Sequence, residues 1–315
     1  MSIMRSTWEN TMHGTQIPMF DAIVVGGSYA GLSAATQLAR ARRRVLVIDA
    51  GQRRNRFANH SHGFLTQDGS EASVIAATGR AQLLKYPNAT WIEGVAASAA
   101  AQGEGFAVTL ADGSRFDARK LVLATGVTDE LPPIAGLRER WGHSVFHCPY
   151  CHGYELDAGK IGVLAVGPLS MHHALMLPDW GTVTFFLNGA FAPDEAQLAA
   201  LAARRVTIEH VALARIEGEA DVVLLDGRVL PMAGLFVAST IHAASPIAGQ
   251  LGCAFEDGPM GSYVGTDAMK ASSVPGVFCC GDMARGAGNV ALAVADGAMA
   301  GVAAHRALIE ELHAA

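Results

Sequence analysis

Two cysteines flanked by two histidines form the most chemically suggestive segment of the chain, His147–His152, which reads HCPYCH. Cysteines separated by two residues at a helix start can close a small disulfide ring, and the helix N-terminus and nearby imidazoles lower the thiol pKa. The same residues offer sulfur and imidazole ligands to zinc, but tetrahedral zinc sites usually take a second ligand pair from a distant segment. The sequence has no second CxxC pair, and the adjacent His172 and His173 diverge on a helix. We therefore predict a redox-active disulfide between Cys148 and Cys151 and no metal.

A glycine-containing turn follows the first apolar strand, with Gly26, Ser28 and Gly31 at its key positions. These positions match the G-x-G-x-x-G pattern, except that serine replaces the middle glycine. The first glycine permits a tight turn, the third lets helix and strand pack closely, and the helix N-terminus offers N–H groups to a pyrophosphate. Asp49 ends the next strand, where it can accept a hydrogen bond from a ribose hydroxyl. The turn therefore predicts nucleotide binding.

Strands and helices must alternate to position these two sites. Residues 20–51 read as a strand, a helix and a second strand, and a hairpin with its turn at Asp112-Gly113 leads into a buried strand that ends at Ala124–Gly126. Residues 161–239 repeat this plan, with a second hairpin turn at Asp226-Gly227. The predicted fold is α/β with two Rossmann-like dinucleotide-binding domains.

Composition excludes several classes of protein. The 315 residues are 50% hydrophobic and 17% charged, with a net charge of −6 and five cysteines. A chain without a basic surface is poorly suited to nucleic acid, and an odd number of cysteines argues against a secreted disulfide framework. The apolar runs are strand-sized, which predicts no membrane span, and the first 19 residues lack a continuous apolar segment. We expect a cytoplasmic protein.

The order of these parts resembles the thioredoxin reductase family of two-domain flavoproteins, from about Phe20 to Leu308. The motifs that carry the resemblance are the glycine turn, the Ala124–Gly126 strand end, the CxxC pair, a second glycine turn and the PGVFCCGD segment ending in Gly281-Asp282. The resemblance implies a discontinuous FAD-binding domain, residues 20–130 and 236–315, around a central domain, residues 131–235, that carries the CxxC pair. Residues 1–19 are then an N-terminal extension.

FAD is the cofactor that the resemblance implies. Asp282 would bind its ribitol, and the helix N-terminus at Asn289-Val290-Ala291 would direct amides toward the flavin ring, where N–H donors and the helix dipole stabilise a reduced flavin. The FAD-binding residues implied by the resemblance are Gly26, Ser28, Tyr29, Ala30, Gly31, Asp49, Ala50, Gly51, Arg54, Thr125, Gly126, Gly281, Asp282, Asn289, Val290 and Ala291.

The second glycine turn departs from the family pattern. Ala165, Gly167 and Ser170 stand where relatives that use pyridine nucleotides carry G-x-G-x-x-A, and the next strand ends at Asn188 without the paired arginines that hold the 2′-phosphate of NADPH. No Arg or Lys lies between Lys160 and Arg204. A dianionic phosphate without a cationic partner loses its strongest contacts. We therefore expect no productive NADPH site.

The motif HCPYCHGYE, residues 147–155, resembles that of the flavin-dependent dithiol oxidases which close the disulfides of gliotoxin, holomycin and romidepsin. The resemblance implies a small-molecule dithiol substrate, O2 as acceptor, H2O2 as product and a homodimer. It also implies that Cys151 lies against the flavin and Cys148 faces the substrate. The base is His152 or His147. We favour His152, which follows the second cysteine where thioredoxin reductases carry an aspartate, because an imidazole with a pKa near neutrality suits a thiol of pKa near 8.5 better than an ionised carboxylate does. The place of His147 before the pair fits a structural hydrogen bond equally well.

Two other functions remain open from the sequence. A thioredoxin-reductase-like enzyme would reduce a disulfide with electrons from NADPH or another donor, such as ferredoxin. A flavin-bound thiol sensor would bind a partner according to its redox state. The complete CxxC pair with a flanking histidine favours turnover over sensing.

Overall fold

A computed structural model describes residues 19–314, so the predicted N-terminal extension, apart from Met19, lies outside the described residues. The strands, in chain order, are β1 (Phe20–Val25), β2 (Val45–Asp49), β3 (His60–Ser61), β4 (Ser70–Glu71), β5 (Ala89–Glu93), β6 (Ala96–Gln102), β7 (Gly105–Leu110), β8 (Arg115–Leu123), β9 (Val127–Glu130), β10 (Val145–Phe146), β11 (Lys160–Leu164), β12 (Thr182–Phe186), β13 (Thr207–Glu209), β14 (Leu213–Glu217), β15 (Asp221–Leu224), β16 (Val229–Leu230), β17 (Gly234–Val237), β18 (Thr240–Ala243), β19 (Phe255–Gly258), β20 (Gly261–Val264) and β21 (Val277–Cys279). The α-helices are α1 (Tyr29–Arg40), α2 (Ala72–Leu83), α3 (Pro149–His152), α4 (Met171–Met176), α5 (Glu195–Ala203), α6 (Ile247–Gln250) and α7 (Val290–Ala314). Short 3₁₀ helices lie at Arg54–Phe57, Arg138–Arg140, Tyr154–Leu156, Pro168–Ser170, Leu177–Asp179 and Gly281–Ala284.

The first domain is built on a seven-stranded sheet with the order β5-β2-β1-β8-β7-β6, and β21 also pairs with β8. The apolar runs that predicted buried strands form its centre, where β1 runs parallel to β2 and β8. The register sets Val25 opposite both Ile48 and Leu123. Because parallel strands end at one edge, the residues that follow these three strands meet there, as the sequence predicts.

Helices α1 and α7 pack side by side over this sheet. Gly297 and Gly301 of α7 lie so close to Ala30 and Ala34 of α1 that a Cβ at either glycine would overlap the α1 backbone. This contact is made of small residues, which lets the two helices approach closely.

The length and composition of α7 correct one expectation. Within residues 19–314, the segment Val290–Glu311 is long and apolar enough to cross a membrane, although no such span was predicted. Of its most apolar stretch, 44% is buried inside the protein, where the helix contributes to the core beside α1. Core helices of soluble domains have the same composition.

The central domain holds a five-stranded parallel sheet of order β10-β17-β11-β12-β13 and a three-stranded antiparallel sheet, β14-β15-β16. Strand β17 pairs with β11 through Val237. The domain boundary predicted between residues 235 and 236 therefore lies inside a strand of the central sheet, and the chain leaves this sheet only after Val237. Strands β9 and β18 pair with each other where the chain enters and leaves the central domain.

Candidate active site

The first glycine turn has the geometry that a dinucleotide needs. Gly26 has φ +102°, a conformation that disfavours other residues, and a Cβ there would overlap the Ala124 carbonyl. A Cβ at Gly31 would overlap the Gly26 carbonyl, so the third position of the pattern also requires glycine. No side chain caps the N-terminus of α1 at Ser28, which leaves this end for a ligand. Asp49 Oδ1 accepts a hydrogen bond from the Gly27 amide at 3.0 Å.

A cavity of about 600 Å³ extends from this turn to the CxxC pair. Its volume is in the range of ligand sites. The predicted FAD-binding residues that line it are Gly26, Ser28, Tyr29, Ala30, Asp49, Ala50, Arg54, Thr125, Gly126, Gly281, Asp282, Asn289 and Val290. Gly51 instead lines an adjoining cavity of about 410 Å³. Gly31 and Ala291 line neither of these two cavities. One cavity is therefore lined by the glycine turn, by the acidic residue Asp49 and by the uncapped end of α1, as FAD requires.

Arg54 joins two carboxylates at the wall of this cavity. Its guanidinium donates to both oxygens of Asp129, at 2.6 and 2.9 Å, and to Asp282 Oδ2 at 2.9 Å. Ser239 also donates to Asp129, at 2.7 Å. Burial alone would raise the pKa of Asp129, but the hydrogen bonds and charge of Arg54 hold it below its usual value. Arg54 therefore orients Asp282 toward the cavity, and sequence reasoning missed the two residues, Asp129 and Ser239, that complete the network.

The two cysteines lie at the start of the short helix α3, as predicted. Cys148 and Cys151 form a disulfide with their Cα atoms 5.3 Å apart, and Cys148 is the residue that precedes the helix. Cys151 lines the cavity, whereas Cys148 is not one of the described residues that line it. Within residues 19–314, no group of three or more His, Cys, Asp and Glu side chains is arranged to hold a metal ion. This geometry suits a disulfide that exchanges with a substrate thiol at Cys148 and is reoxidised from the cavity side, at Cys151.

Both candidate base histidines are packed against aromatic rings. His152 stacks on Phe146 with ring centroids 4.2 Å apart, and His147 stacks on Trp141 at 5.9 Å. Burial, together with the charge of nearby His62, lowers the pKa of His152 to about 4. Burial and neighbouring Arg54 lower the pKa of His147 to about 3. The expectation of an imidazole pKa near neutrality is therefore wrong: both rings are uncharged at pH 7, and protonating either ring at that pH is unfavourable.

His62 is a further site residue to which the sequence assigned no role. It lies in the first domain, lines the cavity, and places Nδ1 3.3 Å from Glu155 Oε1 of the central domain. Nearby, Phe57 packs so tightly on Gly142 that a Cβ at this glycine would come 2.6 Å from Phe57 Cβ. These two contacts hold the central domain against the first domain beside the CxxC pair. A loop histidine carries no periodicity that could have indicated this contact.

The second glycine turn is built differently. Pro168–Ser170 is a 3₁₀ helix, and Ser170 Oγ accepts a hydrogen bond from the Val166 amide at 3.0 Å. Pro168, which begins this helix, has no backbone N–H to offer a phosphate, whereas α1 begins with Tyr29 at the corresponding position. Asn188 turns inward and accepts the Leu213 amide at 2.9 Å. The neighbouring strand brings Glu209 opposite Phe186, and Arg228 is bound to this carboxylate at 2.8 Å.

Comparison with known proteins shows to which family this fold belongs. Residues 20–297 match the family model for pyridine nucleotide-disulphide oxidoreductases. The chain belongs to the pyridine nucleotide-disulphide oxidoreductase family. This oxidoreductase is 35% identical over 310 residues to thioredoxin reductase tcpT of Claviceps purpurea (strain 20.1), a match that covers 93% of this chain and 95% of the relative.

Two crystal structures are similar to this oxidoreductase over nearly their full lengths. The oxidoreductase from Agrobacterium tumefaciens is 57% identical with a TM-score of 0.91, covering 93% of this chain and 99% of that one. HlmI is 36% identical with a TM-score of 0.88, covering 96% of each chain. The protein is thus a thioredoxin-reductase-like FAD flavoprotein and a disulfide oxidoreductase. The predicted family, fold class and cofactor are confirmed.

Proposed function

We propose that this flavoprotein oxidises a small-molecule dithiol to an intramolecular disulfide and passes the electrons to O2, giving H2O2. The observation that carries the proposal is the contrast around the CxxC pair. Cys151 opens onto the cavity of the FAD-binding residues. The second glycine turn instead begins its helix with Pro168, which has no N–H for a phosphate, and the arginine beside its second strand, Arg228, is already paired with Glu209. Electrons then have a route through the cysteines and none from NADPH.

The proposed exchange begins at Cys148. A substrate thiolate attacks its Sγ, the bond between Cys148 and Cys151 breaks, and Cys151 leaves as a thiolate. The second substrate thiol, once deprotonated, attacks the substrate sulfur of this mixed disulfide and releases Cys148 as a thiolate. The product holds an internal disulfide, and the enzyme has gained two electrons as a pair of reduced cysteines. Bound FAD supplies a two-electron acceptor for this cysteine pair, and O2 is the terminal acceptor.

His152 is the proposed base, with His147 as the alternative. Both line the cavity with Cys151, and both rings are uncharged at neutral pH. An uncharged imidazole accepts a hydrogen bond from a thiol, but a low pKa makes full proton transfer to it unfavourable. His152 therefore orients the thiol through this hydrogen bond and takes its proton only as the sulfur attacks. If His152→Ala left the kinetics of dithiol oxidation unchanged, this role would be excluded.

The decisive experiment is anaerobic. Purified protein is mixed separately with dithiothreitol and with NADPH, and the flavin absorbance is followed before air is admitted. We expect bleaching by dithiothreitol only, with recovery and one H2O2 per flavin when air enters. A Cys148→Ser variant should resist bleaching by the dithiol. Rapid bleaching by NADPH would instead establish the alternative, a thioredoxin-reductase-like enzyme, which the name of the Claviceps relative favours.

We also propose a cytoplasmic homodimer. The solvent-facing side of α7 carries Leu292, Met299, Val302 and Ile309, which recur at helical spacing and are each at least 36% exposed. A second copy of the chain would remove this apolar stripe from water. Light scattering after gel filtration should give twice the monomer mass, and Met299→Glu should shift the protein toward monomer. A wild-type monomer at micromolar concentration would contradict the dimer.

A further inference from the structure

The CxxC turn presents two different faces. Cys151, His147 and His152 line the cavity of the FAD-binding residues, and Cys148 and Tyr150 do not appear among the described residues of that lining. Tyr150, which lies between the two cysteines, is 73% exposed. Tyr150 is the one exposed residue of the segment 147–152, and this makes it the side chain of the CxxC turn that is most open to a substrate outside the cavity.

Tyr150 is part of an aromatic pair. Its ring meets Trp180 edge-on, with ring centroids 5.4 Å apart and an interplanar angle of 90°. Trp180 is partly buried and packs on Gly153, where a Cβ would come 2.9 Å from the indole ring. The residue before Trp180 is also fixed, because Arg204 donates to Asp179 at 2.6 Å. The indole thus has a set position relative to the CxxC turn, and its edge-on contact holds the ring of Tyr150, the residue two after Cys148.

An exposed aromatic ring that is held in place by its neighbours is well suited to bind the ring of a ligand. Aromatic side chains offer a large apolar area with little conformational entropy to lose, and aromatic contacts add to the energy of burial. Exposure alone is no signal, because Tyr154 is exposed as well, but Tyr150 is the one of the two whose ring contacts an indole next to the CxxC turn. The position of the pair therefore points to a ligand.

We propose that the Tyr150–Trp180 pair determines substrate specificity, by binding an apolar ring of the dithiol and so directing its thiol to Cys148. This inference rests on the proposed dithiol oxidation and adds a substrate class, dithiols carried on an apolar ring. An acyclic, hydroxylated dithiol such as dithiothreitol reaches the same disulfide but gains nothing from the pair. The pair therefore acts on the selectivity between substrates and has little effect on the chemistry of exchange.

The test compares two probes, ortho-benzenedimethanethiol and dithiothreitol, by anaerobic flavin bleaching and by oxygen consumption. For Tyr150→Ala we expect kcat/KM for the aromatic dithiol to fall about tenfold, chiefly through KM, which is the size of effect of one aromatic contact. For dithiothreitol the change should stay within about twofold. Tyr150→Phe keeps the ring and should restore the wild-type preference.

Tyr154→Ala is the matched control. Tyr154 lies on the next turn and is 84% exposed, but makes no aromatic contact with Trp180 among those of the described residues. We expect this variant to keep the wild-type ratio of the two kcat/KM values. The inference is overturned if Tyr150→Ala leaves that ratio unchanged or if Tyr154→Ala lowers it equally; an unchanged ratio would leave the pair free to dock a protein partner.

The two proposals fail in different ways. If wild-type protein oxidises both dithiols but Tyr150→Ala does not change their ratio, only the specificity role is lost. If neither dithiol bleaches the wild-type flavin, the proposed oxidase function is wrong and the specificity role falls with it.

Discussion

The two glycine turns occupy equivalent places in two Rossmann-like units, and they differ in which backbone N–H groups they leave available to a phosphate. In the first turn, the glycines at positions 26 and 31 allow backbone segments to touch, and the helix that follows is 12 residues long with an uncapped N-terminus. In the second, Pro168 has no N–H to offer at the start of the 3₁₀ helix, and the α-helix that follows, α4, is only six residues long. A longer helix with free N–H groups attracts a phosphate more strongly.

This difference shows that topology alone does not preserve a nucleotide site. Both units keep parallel strands that end at one edge. In the first, the residues that follow those strands line the cavity of about 600 Å³, and the residues of the second glycine turn do not line it. The second unit instead supports the CxxC turn, so one unit holds the cofactor and the other presents the disulfide.

The largest expected effect comes from removing one sulfur of the second unit. Cys151→Ser should reduce dithiol oxidation by about a thousandfold or more, because no enzyme disulfide can form. The flavin content should stay at the wild-type level, since the first unit is unchanged; oxygen consumption and the visible spectrum measure the two quantities. Cys253→Ser, which alters a free buried cysteine of the first domain, is the control and should keep both. Loss of the flavin from Cys151→Ser would show that the units are not separable in this way.

The next effect concerns the third position of each turn. Gly31→Ala places a methyl group against the Gly26 carbonyl, so we expect the retained flavin after gel filtration to fall about tenfold. Ser170→Ala, at the corresponding position of the second turn, removes the hydroxyl that binds Val166 N and should keep the flavin in full. A bound flavin in Gly31→Ala at the wild-type level would place the cofactor away from this turn.

A smaller effect is expected from the histidines of the second unit. Burial lowers the pKa of His152 to about 4, below the ~6.5 of an exposed histidine. Between these values the unfolded chain binds a proton that the folded chain does not, so stability is complete above about pH 6.5 and is lost as the pH falls toward 4. At pH 5 the loss is on the order of 2 kcal/mol for this histidine.

Urea denaturation at pH 7 and pH 5 measures this loss. His152→Gln should lose less stability between the two pH values than wild type does, whereas His210→Gln, at an exposed histidine, should behave as wild type. An identical pH dependence in wild type and His152→Gln would show that His152 titrates normally in the folded protein.

Much of the fold was predictable because its signals are local. Apolar runs of strand length, the glycine at position 26 and the Asp-Gly turns each depend on a few neighbouring residues, and each appears in the structure as expected. The short spacing of Cys148 and Cys151 likewise made their disulfide predictable.

The parts of the site that were missed depend on distant segments. Arg54 and Asp129 are separated by 75 residues, and Ser239 lies 110 residues beyond Asp129. They meet only because β9 and β18 pair between the domains. The low pKa of His152 has a similar origin, because it arises from packing on Phe146 and from a histidine of the other domain. No local pattern carries such information.

The contact between α1 and α7 has a consequence for the size of the cofactor. Tyr29 begins α1, Val290 begins α7, and both residues line the cavity. Gly297 and Gly301 press against the backbone of α1, so the two helices cannot slide together or apart without a clash or a void. Their contact therefore fixes the distance between the two helix starts that line the cavity, so a cofactor must fit the space between them as it stands.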